Sequence, residues 1–193
     1  GKYSFALDNY KKAILLNPKN HINYYSIGEL MIELNNIDSA IKYFTKAIEV
    51  DPTYLTSYHL RAKAKSLNND YEGAIRDYSI AIEKEPKSFL YFYRGQMYEN
   101  IGNTIDASKD YRNLIKLDPT EQSFSYRATF RYKNKDFKGA IKDLSSAIKL
   151  NPKKPFFYYL RAVSEGDLSN FKNSIRDINY AIKLDNKNYS YYF

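Results

Sequence analysis

The sequence predicts an all-α array of stacked helix pairs, and three observations carry that prediction. Residues 55–87 read as two amphipathic helices broken at Asn68-Asn69-Asp70 and stopped at Pro86, and the pattern returns every 33 or 34 residues. Small residues recur at fixed slots within each helix, as closely packed helices require. A proline closes the unit at Pro18, Pro52, Pro86, Pro119 and Pro152, with Asn186 in the last.

Residues 1–20 match only the second half of the unit, with a helix over 3–16 ended by Asn17-Pro18 and Gly1 in the slot of the turn. Full units follow at 21–54, 55–87, 88–120, 121–154 and 155–188, and residues 189–193 begin another. The fourth residue is aromatic in each: Tyr24, Tyr58, Tyr91, Phe124, Tyr158, and Tyr192 in the stub. The eighth is small: Gly28, Ala62, Gly95, Ala128, Ala162. In the second helix Ala6, Ala40, Ala74, Ala107, Ala140 and Ser174 share one slot. Seven residues on come Ala13, Ala47, Ala81, Leu114, Ala147 and Ala181. One hairpin cannot bury both its apolar stripes, so each needs a neighbour and the core runs along the array. Beginning and ending inside a unit is the pattern of a segment of a longer array; the alternative is end-to-end association.

Composition narrows the function classes. Of 193 residues 44% are apolar and 17% aromatic, with 21 Tyr, 11 Phe and no Trp, which marks a folded chain with much half-buried surface. The absence of cysteine excludes disulfides and thiolate metal sites. His21 and His59 lie in different units, no Gly-rich phosphate loop occurs, and no nucleophile–base order appears. No catalytic, metal or cofactor site is therefore expected, and the protein is expected not to be an enzyme. Net charge is +8, but most basic residues fall on second helices and turns, where scattered Lys serves solubility. Docking of that surface on RNA or anionic membrane is the runner-up reading. A third is that the array is one region of a larger protein.

The seventh slot holds Arg in four units, Arg61, Arg94, Arg127 and Arg161. Those same units carry Asp sixteen residues later, at Asp77, Asp110, Asp143 and Asp177. Unit 21–54 has neither, with Ile27 and Tyr43 instead. Both charges or none in every unit predicts an Arg–Asp pair joining the helices of one hairpin, or one hairpin to the next. Lys65, Arg131 and Glu165 at the eleventh slot suggest looser packing there.

The aromatic-then-small first helix, the paired alanines around a large residue and the closing Asp-Pro or Asn-Pro resemble the tetratricopeptide repeat over essentially the whole chain. Leu114, Ser174 and Asn186 are local departures. The resemblance implies a right-handed superhelical solenoid whose first helices line a concave groove for a partner protein or peptide. By that geometry the groove is lined by Tyr25, Glu29, His59, Lys63, Phe89, Phe92, Gln96, Ser125, Thr129, Tyr132, Phe156 and Tyr159. The Lys/Asn clamp by which one branch of the family holds chaperone C-terminal carboxylates is missing: Tyr25, Glu29, Leu60, Phe89 and Tyr93 stand in its slots. Chaperone tails are thus disfavoured, and the 33–34 period disfavours the single-stranded RNA readers with similar hairpins.

Overall fold

A computed structural model describes residues 2–191; Gly1, Tyr192 and Phe193, to which the sequence assigns a turn glycine and the start of a further helix, lie outside the described residues. Among those described, eleven α-helices follow one another: α1 Lys2–Leu16, α2 His21–Glu33, α3 Ile37–Val50, α4 Leu55–Leu67, α5 Tyr71–Lys84, α6 Ser88–Asn100, α7 Thr104–Leu117, α8 Glu121–Lys133, α9 Phe137–Leu150, α10 Pro155–Asp167 and α11 Phe171–Leu184. A single 3-10 turn, Tyr189–Tyr191, follows them. No strand is present among the described residues. The fold is an all-α repeat solenoid built from consecutive helix pairs.

The turn inside each hairpin is short because one residue does two jobs. The chain leaves the first helix through a left-handed residue, Asn35, Asn69, Gly102, Lys135 or Ser169, with φ between 56° and 73°. The next N–H then reaches back to the helix: Asn36 N to Met31 O at 2.8 Å, Asp70 N to Lys65 O at 2.9 Å, Asp136 N to Arg131 O at 2.9 Å. That same residue caps the second helix, since Asn36, Asp70 and Asp136 accept from the N–H of Ser39, Gly73 and Gly139. Between hairpins, the Asn or Asp before the closing Pro folds its side chain onto the backbone two residues on. Asp51 Oδ1 accepts from Thr53 N at 2.9 Å, and Asn17 and Asn151 do the same.

The chain divides into two compact units, Gly1–Ala107 and Ser108–Phe193. In the first, α2 packs on α3, α4 on α5, and successive hairpins meet through α3 with α4 and α5 with α6. In the second, α8 packs on α9, α9 on α10, and α10 on α11. The small slots lie at the crossings: Ala40, Ala74, Ala107 and Ala140 are all 0% exposed. The large residue between them fills the space alongside, as Phe44, Tyr78 and Leu144 do. At Gly28 a Cβ would stand 2.6 Å from the buried Phe44 ring, so this crossing admits nothing larger than hydrogen.

Candidate functional site

The charges of the seventh slot lie between helices. Arg61 on α4 donates from Nε and Nη2 to the two carboxylate oxygens of Asp77 on α5, at 2.8 and 2.7 Å. Its third nitrogen, Nη1, reaches back to Thr45 Oγ1 on α3 at 3.2 Å. Arg161 repeats the arrangement with Asp177 at 2.6 and 3.0 Å and Ser145 Oγ at 3.1 Å. Arg127 holds Asp143 at 2.8 and 2.7 Å. Each Asp is 2% exposed, so the fork–fork geometry of guanidinium and carboxylate is shielded from water. Arg61 and Arg161 also lie over Tyr58 and Tyr158, each 5.7 Å from the ring centre. Arg94 bonds Ser79 Oγ at 2.9 Å and covers Tyr91, and Asp110 is 2% exposed; the two share a repeat but fall in different compact units.

The eleventh slot is not loosely packed, contrary to the sequence reading. Lys65 Nζ donates to Asp77 Oδ2 at 2.8 Å, and Arg131 Nη1 to Asp143 Oδ2 at 2.9 Å. Both also reach a second-helix carbonyl, Gly73 O and Gly139 O. Two cations therefore share one buried carboxylate. Slots seven and eleven are four apart, one above the other on a helix face. Glu165, at the same slot of the last unit, is buried and accepts from Asn170 Nδ2 at 2.8 Å instead.

The residues expected to line a groove meet varied surroundings. On α2, Tyr25 is half-buried against Phe44 and Tyr54, while Glu29 is exposed. Burial first, then its hydrogen bond with Glu29, holds the Tyr25 hydroxyl well above its ordinary value. Glu29 and Glu33, with Tyr3 and Tyr10 of α1, line a cleft of about 390 Å³. On α4, His59 is half-buried and Lys63 exposed. The His59 ring lies 5.1 Å from Phe89, 5.7 Å from Tyr93 and 5.9 Å from Tyr78. On α6, Phe89 is 41% exposed, and Phe92 and Gln96 are half-buried, Phe92 against Tyr93.

In the second unit, Ser125 on α8 is buried and its carbonyl accepts from the Thr129 hydroxyl at 3.0 Å. Tyr132 is half-buried against Phe137, and burial followed by a hydrogen bond to Asp167 raises its pKa. On α10, Phe156 is 46% exposed, whereas Tyr159 is covered by the Tyr191 ring at 5.2 Å. Sequence reasoning missed Tyr54 and Tyr191 as neighbours, since both come from turns outside the helical pattern. No group of three or more His, Asp or Glu able to hold a metal occurs among the described residues, and no helix is long and apolar enough to cross a membrane.

A family model for the tetratricopeptide repeat matches residues 23–54 and 90–121. Those two stretches are tetratricopeptide repeats. Similar solved structures extend the agreement over the remaining hairpins. YrrB, described as a TPR protein with an unusual peptide-binding site, is 16% identical over 95% of both chains, with a TM-score of 0.77. MamA is 15% identical over 91% of this chain and 97% of its own, with a TM-score of 0.80. The C-terminal part of a TPR repeat-containing protein from Cytophaga hutchinsonii is 18% identical over 95% of this chain and 74% of its own, at 0.83. At such identities the likeness is one of fold. No curated protein matches the sequence. Tetratricopeptide repeats serve in general as protein–protein interaction scaffolds and are typically not catalysts.

Proposed function

We propose that this tetratricopeptide-repeat chain is a non-catalytic scaffold that holds a peptide or helical segment of a partner protein against its first helices. Each compact unit presents its own set, α2, α4 and α6 in one and α8 and α10 in the other, and each set is a binding surface by itself. The observation that carries the reading is that Phe89 and Phe156, at the second slot of two first helices, keep 41% and 46% of their surface open to water. Apolar rings left exposed at repeat-equivalent places are the kind of anchor an apolar partner side chain covers. On the first helices Lys63 and Glu29 are exposed and Gln96 and Thr129 half-buried, and these side chains supply groups to orient a peptide backbone. YrrB, of the same fold, is described as having a peptide-binding site, and this supports the reading.

The test is selection from a displayed library of random peptides on the chain and on the double variant Lys63→Glu/Phe92→Ala. Peptides enriched on the parent are expected to bind the variant at least about tenfold more weakly, a difference of about 1.4 kcal/mol. Equal binding to both proteins moves the site away from these helices.

A further inference from the structure

Between α4 and α6, at the turn that joins α5 to α6, lies a cavity of about 90 Å³. That is about three times the volume of a water molecule in the liquid, roughly the room a Val or Leu side chain needs and short of an indole. Its apolar walls come from Leu55, Ala81, Leu90 and the open ring of Phe89. The charges at its edge, Glu85 and Lys87, are already paired with each other at 3.1 Å. An ionic ligand would therefore find its counter-charge engaged and lose hydration on entering.

Of the uncharged polar residues in this wall, Thr56 is exposed and His59 half-buried. The Nδ1 of His59 is buried with no hydrogen-bond partner, so Nε2 is the nitrogen that water or a ligand can reach. Burial and then the charge of Lys63 lower its pKa and keep the ring neutral. Placing the proton on Nε2 avoids burying an N–H without an acceptor. The ring then offers one donor beside an apolar cavity, the complement of a backbone carbonyl next to an aliphatic side chain.

We propose that this cavity is the anchor pocket for a single Val, Ile or Leu side chain of an extended partner segment, whose backbone carbonyl accepts from His59 Nε2. The assignment rests on the peptide-binding reading above and adds to it the chemistry of the residue recognised. Thr56 borders the cavity and is exposed, so Thr56→Trp blocks the entrance without entering the core.

The experiment is the same peptide-library selection with the full chain, its Thr56→Trp variant and its His59→Phe variant, circular dichroism confirming unchanged helix content. Peptides selected on the parent are expected to share one aliphatic position. That preference disappears on Thr56→Trp, and His59→Phe keeps it while weakening binding severalfold. Binders that lack an aliphatic position, or keep it on Thr56→Trp, overturn the pocket and leave the scaffold reading standing. Undiminished affinity of His59→Phe removes the carbonyl contact. A library yielding no binder sensitive to Lys63→Glu/Phe92→Ala overturns both.

Discussion

Arg127 and Asp143 face each other across α8 and α9 as a two-bond fork at 2.8 and 2.7 Å, with the carboxylate almost wholly out of water. Arg131 adds a third bond from the same helix at 2.9 Å. Buried this way, the pair matters less for any net gain than for what happens when one member is lost.

Removing Asp143 leaves two guanidinium groups facing each other without their anion, and removing Arg127 leaves a buried carboxylate held by Arg131 alone. Either Asp143→Ala or Arg127→Ala is expected to cost about 3–5 kcal/mol. The double variant is expected to lose clearly less than the sum of the two, as chemical denaturation would read. Additive losses would show that the two side chains do not act together. Arg131→Met should cost less than Arg127→Ala, because the fork to Asp143 survives it.

Lys135 sits at φ 61° in the turn between α8 and α9, where its Cβ crowds the backbone. The equivalent turn before α7 uses Gly102 at φ 73°. Lys135→Gly is expected to stabilise the chain by about 0.5–1 kcal/mol, seen as a rise in melting temperature. An unchanged or lower melting temperature would mean that the lysine side chain makes up for its backbone conformation.

His59 sets a pH dependence with a definite sign. Its folded pKa lies below the usual 6.5, so the unfolded chain binds the proton more readily than the folded one. Stability therefore holds above about pH 6.5, falls as pH drops below it, and stops falling once His59 titrates in the folded state. His59→Phe removes this slope, because a phenyl ring fits among Phe89, Tyr93 and Tyr78 and binds no proton. Melting curves of both proteins over that window read the difference, and parallel slopes would refute it.

The Arg–Asp pairs are legible in the residues alone because the repeats serve as each other's controls: unit 21–54 lacks both charges at once. The third member is equally written in the spacing. Lys65 follows Arg61, and Arg131 follows Arg127, by one helical turn, which puts both cations over the same carboxylate. What hides it is the expectation that a charge in an apolar slot loosens the packing. The groove residues are less legible. Spacing puts Ser125 and Tyr159 in the same slot as His59, yet Ser125 is buried and Tyr159 lies under Tyr191.

The sequence by itself determined the helices, their pairing and the slots that touch, because these follow from contacts between neighbours at fixed separations along the chain. Tertiary structure alone decided which apolar rings stay open, that Phe89 and His59 border a cavity while Tyr159 lies against Tyr191, and that Nδ1 of His59 is sealed from water. Such facts depend on side chains converging from elements far apart in sequence, and a repeating pattern of slots cannot encode what one particular neighbour happens to cover.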